Sequence, residues 1–560
     1  MKTDYAKLGE MALARLRETA DQAELVQEKL LQEILRENRD TEYGRKYSFA
    51  EVFSSDAYRK RVPVTEYPDY EAWIARMIEG QENVLTRRPV VYFCVSSGST
   101  GEMKYVPLTE EEFTVFALYA YGIIFGMVKE YYRELPGEEV FGKIFQIGEF
   151  AKTVMPDGRM NGIRSGSYYQ WLDRDGAFDA SDYCVPKEVL FPDTLEDLTY
   201  VKVRFALAER GLRAIHGVFI SRVAGTMQYI CDNWELLLRD MEYGTVDEHI
   251  VIGERWRTFV RERLLPDPVR AKELRRLHRE ELQQGLIEKL WPEVRYILAI
   301  GGEHFSYYTE RMREFAGKIP IHYYDYAASE GIFAVSRRIN EPDSYILIPD
   351  SGFFEFLPAD REPENGETTL GITELRTGER YEFLFTSRSG LYRYRMGDVL
   401  EVTDWYGQLP VVKFCYRKNQ VLNLAGEKYN VQQLEEAVRR FSAATGVEVK
   451  GFCVQEELTG GPRYLVYLEC GCKQIADGER VLERCFCEAN CEYAGCRRLN
   501  EIGGLRIRCL PAGSFARYEK YLSAKGIPIG QNKLLRILDT EEKKSFFAAL
   551  SQGEYGGSGR

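Results

Sequence analysis

Short β-rich segments alternate with helical segments from about Pro63 to Gly407, and this alternation restricts the folds open to the chain. Residues 88–95 (RPVVYFCV) are predicted to form a strand, and an apolar helix is predicted after Thr109. Tyr296–Ile300 is predicted to be a buried strand that ends at Gly301-Gly302. Strands alternating with helices predict an α/β domain in which helices pack on sheets.

The ends of the chain follow different patterns. The first forty residues are predicted to be helical, with Val26, Leu30 and Ile34 on one apolar face. After Gly426 the pattern predicts a helix, two strands, a helix from Gly478, a further strand and a last helix near Ser514. We therefore expect an α/β chain with a large N-terminal domain, residues 1–415, and a small α+β C-terminal domain, residues 416–552. Residues 553–560 are expected to be a disordered tail.

Composition excludes several classes of function. The 560 residues carry a net charge of −12, so the chain lacks the positive field that drives binding to nucleic acid backbones. The longest uncharged apolar stretch, Phe113–Val128, is shorter than the roughly 20 residues of a membrane span and is expected to be a buried helix. The N-terminus does not resemble a signal peptide, and twelve cysteines are best explained as reduced thiols. We expect a cytoplasmic protein that binds neither nucleic acid nor membranes.

The clearest motif is Ser96-Ser-Gly-Ser-Thr-Gly-Glu-Met-Lys104, which follows a predicted strand. Six consecutive hydroxyl or glycine residues allow backbone N–H groups to surround phosphate oxygens, and Lys104 supplies a positive charge. The order of residues differs from the GxxxxGK[ST] loop of kinases and GTPases. A surface turn rich in serine and glycine is the alternative.

Two further segments suit a nucleotide. Tyr323–Glu330 (YYDYAASE) combines an aromatic face with a carboxylate that suits Mg²⁺; packing at a strand end is the alternative. Gly390–Asp398 (GLYRYRMGD) predicts a strand with Tyr392 and Tyr394 on one face and arginines on the other. Asp398 after a glycine can reach a diol, although a solvated edge strand would have the same pattern.

Six cysteines lie between Cys470 and Cys496. Their spacing, CxC and then CxCxxxC, lacks the CxxC pairs and neighbouring histidine typical of zinc sites. Cys470 and Cys472 are expected to share a strand face, and Cys487 and Cys491 a helix face. Small core residues are the favoured interpretation, and metal binding stays open.

The order of these motifs resembles the adenylate-forming superfamily of acyl-CoA synthetases, adenylation domains and luciferases. Within it the chain is most similar to the auxin-responsive acyl acid amido synthetases, the Gretchen Hagen family. The similarity covers nearly the whole chain and includes these segments: residues 34–44, SSGSTGEMK, YAASE, GLYRYRMGD, Phe414–Asn419, Glu427-Lys428 and Gly526–Lys533.

This resemblance implies roles for particular residues. The loop would hold the phosphates of ATP through Ser96, Ser97, Gly98, Ser99, Thr100, Gly101 and Lys104. Tyr326 would lie along the adenine, and Ser329 and Glu330 would face the phosphates and Mg²⁺. Asp398 would bind the ribose hydroxyls, with Arg417 close by at the hinge. Lys428 and Lys533 would be catalytic lysines of the C-terminal domain.

The resemblance thus implies a ligase that uses ATP and Mg²⁺ to adenylate a small carboxylic acid and passes the acyl group to an amino acid amine. The alternatives are an acyl-CoA ligase, a nucleotide- or acyl-binding protein without turnover, and a metal-binding interaction protein built on the cysteine-rich segment. Residues 113–128 and 162–227 are rich in aromatic side chains, so we expect them to form a pocket for an aromatic or apolar acid.

Overall fold

The computed structural model describes residues 4–97, 103–151, 153–193, 197–277, 282, 284–302, 305–359, 369–418, 420–524 and 535–552. Five of the predicted site residues lie outside these ranges: Gly98, Ser99, Thr100, Gly101 and Lys533. The predicted tail, 553–560, also lies outside them. Ser96 and Ser97 are described only as strand backbone.

The helices, in chain order, are α1 (Tyr5–Ala20), α2 (Ala23–Asn38), α3 (Glu42–Lys46), α4 (Ser55–Arg61), α5 (Pro68–Ile78), α6 (Glu110–Phe116), α7 (Ile123–Tyr131), α8 (Gly137–Val140), α9 (Arg164–Leu172), α10 (Lys187–Leu190), α11 (Thr199–Ala208), α12 (Ile220–Asp232), α13 (Trp234–Tyr243), α14 (Glu254–Arg263), α15 (Pro268–Leu274), α16 (Leu286–Leu290), α17 (Ser306–Ala316), α18 (Val431–Thr445), α19 (Gly478–Ala489), α20 (Cys491–Arg498), α21 (Ser514–Ala524) and α22 (Glu541–Gln552).

The strands, in the same order, are β1 (Val90–Ser97), β2 (Met103–Thr109), β3 (Lys143–Gln146), β4 (Thr153–Val154), β5 (Met160–Gly162), β6 (Leu212–Phe219), β7 (Tyr296–Ile300), β8 (Ile321–Tyr323), β9 (Tyr326–Ala328), β10 (Gly331–Ser336), β11 (Tyr345–Leu347), β12 (Phe353–Pro358), β13 (Arg380–Thr386), β14 (Tyr394–Tyr406), β15 (Leu409–Arg417), β16 (Gln420–Leu422), β17 (Tyr429–Asn430), β18 (Gly451–Glu457), β19 (Arg463–Glu469) and β20 (Arg506–Leu510).

The chain forms two compact units, and the larger contains the described residues 4–96 and 103–418. It holds three sheets, with strand orders β2-β1-β5-β4, β3-β6-β7-β8 and β12-β13-β14-β15-β11-β10-β9. The second sheet is parallel throughout and the third is antiparallel throughout. Helices packed on these sheets confirm the expected α/β fold class.

The seven-stranded sheet curls on itself. Tyr326 in β9 has its ring centroid 6.2 Å from that of Phe383 in β13, although four strands separate β9 from β13 in the sheet. Phe333 in β10 likewise lies 4.8 Å from Phe385 in β13. Aromatic side chains on the concave face therefore fill the space between opposite ends of the sheet, as in a small barrel.

The apolar helix predicted after Thr109 is covered by the N-terminal helix. One π-helical turn, Ala117–Gly122, joins α6 to α7, so that the helix runs for 22 residues from Glu110 to Tyr131. This is longer than the apolar stretch in the sequence and long enough to cross a bilayer, but 67% of its most apolar window is buried inside the protein. Helix α1 packs so closely on it that only glycine fits at the contact. A Cβ added to Gly126 would lie 2.7 Å from the carbonyl oxygen of Gly9.

The smaller unit contains the described residues 420–524 and 535–552. Its sheet has the order β18-β19-β20, with β19 antiparallel to β18 and parallel to β20. Helices α18 and α19 pack together, and α22 contributes Phe546 and Phe547 to a core that also holds Tyr467. The expected α+β fold of this part is confirmed, but the sequence pattern missed α22.

Several predicted elements have other bounds. The segment Gly390–Asp398 is not one strand, since β14 begins at Tyr394 and Arg393 has a φ of 48°. The loop after β1 leads first into β2 and only then into a helix. Cys470 lies just beyond the end of β19, and Cys491 begins a new helix, so neither predicted cysteine pair shares a face of one element.

The side chain of Arg393 explains the break before β14. It is buried and forms an ion pair with the fully buried Glu355 of β12, with its Nε 3.1 Å from each carboxylate oxygen. Its Nη1 donates to the carbonyl oxygens of Arg59 and Val62, each at 2.7 Å. The arginine therefore joins α4 to the sheet, and the solvated edge strand considered from the sequence is wrong for this residue.

We expect Arg393→Met to lower the free energy of unfolding of the larger unit by about 3 kcal/mol, because the buried Glu355 then keeps only the more distant ion pair with Arg59, whose Nε lies 3.6 Å from its Oε1. All six tryptophans lie at or before Trp405, so tryptophan fluorescence during urea unfolding reports on this unit alone. The control is Glu130→Gln, which removes an ion pair to Arg17 whose side chains are 60% and 58% exposed. Its effect should stay below about 1 kcal/mol, and an equally small effect of Arg393→Met would contradict the prediction.

Candidate functional site

Asp398 and Arg417 form the centre of the candidate site in the larger unit. They are direct partners across β14 and β15, and Asp398 is fully buried. Arg417 donates to both carboxylate oxygens, from Nε to Oδ1 and from Nη2 to Oδ2, the second at 2.9 Å. A bidentate charge-assisted pair of this kind holds both side chains in one orientation.

Tyr326 reaches the same carboxylate from β9. Its hydroxyl donates to Asp398 Oδ2 at 2.5 Å, and burial together with the neighbouring Asp398 charge raises the pKa of Tyr326 well above its usual value. The tyrosine is therefore neutral and remains a hydrogen-bond donor. The curl of the sheet makes this contact possible, since β9 and β14 are not neighbours in it.

Glu330 lies in the tight turn between β9 and β10, directly after Ser329. The glutamate is buried, and the hydroxyl of Tyr394 donates to its Oε1 at 3.3 Å. Tyr394 in turn is the first residue of β14. One hairpin thus carries Tyr326, Ser329 and Glu330 towards β14 and Asp398.

Lys104 supplies a cation to the same neighbourhood. It is the second residue of β2, and its Nζ lies 5.1 Å from the ring centroid of Tyr67. Partial burial lowers the pKa of Lys104, the charge of Glu330 raises it, and the charge of Arg417 lowers it again. Lys104 therefore lies close enough to Glu330 and to Arg417 for their charges to change its pKa.

Five predicted site residues are therefore brought together in the larger unit: Lys104, Tyr326, Glu330, Asp398 and Arg417. Ser329 adjoins them in sequence. Tyr67 is not among the residues predicted from the sequence, because its position before α5 shows no motif.

Lys428 belongs to the smaller unit, where it is exposed and has a φ of 45°. The residue before it, Glu427, is fully buried and accepts hydrogen bonds from the backbone N–H groups of Leu424 and Ala425, each at 2.8 Å. The hydroxyl of Tyr464 also donates to Glu427. The buried glutamate thus fixes the loop that presents Lys428.

A buried arginine lies beside an aromatic cluster in the two segments that were expected to form the acid pocket. Arg164, the first residue of α9, is only 8% exposed and lies over the ring of Phe116 at 4.6 Å. Tyr121 and Tyr168 pack against Phe116, with ring centroids 5.8 and 5.9 Å from that of the phenylalanine. Within the described ranges, none of the three guanidinium nitrogens of Arg164 has a hydrogen-bond partner. The sequence analysis did not single out this residue, because nothing in its local pattern marks it as buried.

The chemistry around Arg164 also includes a carboxyl group. Burial raises the pKa of Asp325 to about 7, and the charge of Arg164 opposes this shift. Burial raises the pKa of the neighbouring Cys94 thiol to about 12, and Arg164 again opposes the shift. Near pH 7 the thiol is therefore neutral and the carboxyl group of Asp325 only partly ionised. Burial also raises the pKa of Glu112, and the charge of Arg164 opposes that shift too, so a second carboxyl group lies within electrostatic range of the arginine.

A cavity of about 500 Å³ lies elsewhere in the larger unit. Gly302, Arg313, Asp343 and Asp404 are among the residues that line it. None of the predicted site residues is in this lining, and charges of both signs are mixed along it. The cavity therefore does not define the candidate site.

Comparison with solved structures identifies the class of fold. The structure of an acyl acid amido synthetase, GH3.15, in complex with 2,4-DB covers 98% of this chain and 97% of its own, with a TM-score of 0.64 and 23% identity. A second structure of the GH3.15 acyl acid amido synthetase gives a TM-score of 0.62, also at 23% identity, and covers 96% of this chain and 95% of its own. The chain thus has the fold of the acyl acid amido synthetases.

Family models identify the family itself. The GH3 family N-terminal domain matches residues 12–321, the central domain matches 345–417, and the C-terminal domain matches 432–542. The chain therefore belongs to the GH3 family, and the resemblance to the Gretchen Hagen family is confirmed.

Curated relatives match along most of their length. A probable indole-3-acetic acid-amido synthetase GH3.1 of Arabidopsis thaliana is 28% identical over 94% of this chain and 91% of its own length. The jasmonoyl–L-amino acid synthetase JAR4 of Nicotiana attenuata is 26% identical over 93% of this chain and 94% of its own. These relatives are named for different acids, so similarity to them does not select one acid for this chain.

Glu427 generates a prediction about pH. Burial raises the pKa of Glu427 to about 7, above the value of 4.5 for an unhindered glutamate. Between these two values the unfolded chain loses the proton that the folded unit keeps, so stability falls as pH rises. We expect the smaller unit to lose about 2–3 kcal/mol from this group between pH 5 and pH 8.

Hydrogen–deuterium exchange of β18 and β19, corrected for intrinsic rates, measures this loss in the smaller unit, which contains no tryptophan. Glu427→Gln should abolish this part of the pH dependence, whatever its effect on absolute stability. Glu435→Gln, which alters an exposed pair to Arg536, is the control and should keep the wild-type slope. Equal slopes in wild type and Glu427→Gln would contradict the assignment.

Proposed function

We propose that the chain is an ATP- and Mg²⁺-dependent ligase that adenylates a small carboxylic acid and transfers the acyl group to the amine of an amino acid. The observation that carries the proposal is the convergence of Lys104, Glu330, Asp398 and Arg417 in a member of the GH3 family. Lys104 and Arg417 are cations that can balance the charge of phosphates. The carboxylate of Glu330 suits a metal ion, and that of Asp398 suits a diol.

The hydrogen bonds at Asp398 support a role in binding the ribose. Its carboxylate is held by Arg417 and Tyr326, so it is oriented before a ligand arrives. In this proposal the ring of Tyr326 lies along the adenine, and the loop that contains Ser96, Ser97 and residues 98–101 holds the phosphates together with Lys104 and Ser329.

The donor chemistry of Glu330 fits Mg²⁺. Mg²⁺ prefers hard oxygen ligands and is commonly held by one or two carboxylates together with substrate phosphates and water. Glu330 offers such a carboxylate, and Tyr394 holds one of its oxygens in place. Bound there, the ion would neutralise charge on the phosphates.

Activation of the acid explains why these groups are needed. A carboxylate is a poor acyl donor, and attack of its oxygen on the α-phosphate of ATP gives an acyl adenylate and releases pyrophosphate. Negative charge builds up on the phosphate oxygens during this step, and Lys104 and preorganised N–H groups stabilise it. The amine then attacks the acyl carbon, forming the amide and releasing AMP.

We propose that Arg164 binds the carboxylate of the acid. A buried guanidinium with no hydrogen-bond partner is costly unless an anion completes it. It lies over the ring of Phe116, against which Tyr121 and Tyr168 pack, and this aromatic surface favours an aromatic or apolar acid.

The remaining assignments concern the smaller unit and the cell. We propose that Lys428, with Lys533 from the same C-terminal domain, contacts the reacting groups during catalysis, and that the domain boundaries are 1–415 and 416–552.

All twelve cysteines are free thiols, which supports a cytoplasmic location. The partners in this proposal are a small carboxylic acid and an amino acid, without nucleic acid or membrane.

Adenylation is tested by ATP–pyrophosphate exchange with a panel of aryl, indolyl and aliphatic acids. We expect exchange that depends on acid and on Mg²⁺, and we expect Glu330→Gln to lower its rate by about 100-fold because the phosphates lose their metal carboxylate. Glu66→Gln is the matched control, since it removes an exposed negative charge near Lys104 and should keep activity.

The product of the same reactions separates the alternatives. Formation of an amide with an added amino acid supports the proposal, whereas a thioester formed only with coenzyme A would make the chain an acyl-CoA ligase. Binding of ATP without exchange for any acid would contradict turnover.

Arg164→Gln tests the acid site. Because the guanidinium nitrogens of Arg164 have no hydrogen-bond partner among the described residues, the variant should unfold at nearly the same urea concentration as wild type. Loss of the charge pair with the acid should raise the KM for the acid by about 30-fold or more and leave ATP affinity unchanged. Arg159→Gln, which removes an arginine that lies over Phe93 at 4.9 Å, is the control. An unchanged KM for the acid in Arg164→Gln would contradict this role.

A further inference from the structure

Three cysteine thiols converge at one end of the sheet in the smaller unit. Cys470 follows the last residue of β19, and Cys509 lies in the neighbouring parallel strand β20, opposite Leu468. Between Cys470 and Cys472, Gly471 has a φ of 68°, a conformation that glycine adopts without strain. This turn brings Cys472 back towards Cys470, so that their sulfur atoms lie 3.2 Å apart.

The Sγ atoms of Cys470, Cys472 and Cys509 all lie within 4.8 Å of one another. A tetrahedral zinc ion with Zn–S bonds of about 2.3 Å needs sulfur atoms roughly 3.8 Å apart. The observed spacing brackets this value, so small rotations of the side chains would complete three corners of a tetrahedron.

Among the described residues, no further His, Cys, Asp or Glu side chain joins the three thiols. All three cysteines are only half-buried, which gives an ion a path of entry. Glu469, the carboxylate adjacent in sequence, accepts from the backbone N–H groups of Gly513 and Phe515 at 2.8 and 3.0 Å, so it is already engaged at the start of α21. The donor set is therefore sulfur, which selects a thiophilic ion over Mg²⁺ or Ca²⁺.

We propose that Cys470, Cys472 and Cys509 bind one Zn²⁺ through three thiolates, with water as the fourth ligand. The site lies outside the groups assigned to ligase activity and does not depend on that activity. It revises the interpretation from spacing alone, which did not include Cys509 because that residue is distant in sequence from the other cysteines.

The ion would join the end of β19 to β20. Residues 473–508, which include α19 and α20, form the loop that this link closes. The three thiols release their protons to the buffer when the ion binds, and the Zn–S bonds then close a loop of this length. This stabilises the folded unit, because the unfolded chain offers no such site. Zinc removal should therefore raise hydrogen exchange in β19 and β20 while the tryptophan signal of the larger unit stays unchanged.

The test uses the full chain, purified under reducing conditions and dialysed against metal-free buffer after loading with Zn²⁺. We expect about one zinc per chain by mass spectrometry, and Cd²⁺ substitution should give the ultraviolet charge-transfer band of thiolate–cadmium bonds. Cys472→Ser and Cys509→Ser should each lower bound zinc at least fivefold. Cys487→Ser and Cys491→Ser, which alter thiols of the same unit outside the cluster, should retain it.

Three results would overturn the proposal. One is the absence of bound zinc and of a cadmium band in the reduced wild-type chain. Another is equal zinc content in the cluster variants and the controls, which would indicate binding elsewhere. The third is a disulfide between Cys470 and Cys472 in the purified chain, combined with a failure of the thiols to bind Zn²⁺ or Cd²⁺ after that disulfide is reduced. Each readout is independent of turnover, so failure here is distinguishable from failure of the proposed ligase activity.

Discussion

The candidate site depends on the burial of one carboxylate, Asp398. A fully buried charge is tolerated only when hydrogen bonds and an opposite charge compensate it. Arg417 supplies the charge from the adjacent strand, and Tyr326 supplies a hydroxyl from the far end of the sheet. The seven-stranded sheet must therefore curl for the carboxylate to be satisfied, and the same curl brings the β9–β10 turn and Glu330 into position.

The other charges of the site are arranged around this pair. The charge of Glu330 raises the pKa of Lys104 and the charge of Arg417 lowers it. Arg417 is itself held by its ion pair with Asp398, which raises the pKa of the arginine. The acid site differs from this arrangement, since Arg164 is buried over the ring of Phe116 and, in the part of the chain that the structure describes, has no hydrogen-bond partner. A protein that keeps a charge in that state gives up stability, and the loss is recovered when an anion binds. Stability and acid recognition are therefore expected to oppose each other at this residue.

Much of the site could be predicted from the sequence because its motifs are local. Tyr326, Ser329 and Glu330 belong to one hairpin, and Asp398 and Arg417 lie on consecutive strands. The rest depends on contacts between distant residues. The alternation YRYR predicted a strand, but the ion pair of Arg393 with Glu355 imposes a different backbone there. Arg164 and Cys509 carry no local pattern, so only the fold reveals what they face.

The close packing of α1 on the helix from Glu110 to Tyr131 has a consequence for synthesis. This helix is as apolar as a membrane segment, and it leaves the ribosome before most of the sheets that later bury it exist. Helix α1 has by then already emerged, and its contact through Gly9 requires nothing made later than Tyr131. Helix α1 is thus available to cover this apolar segment while translation continues.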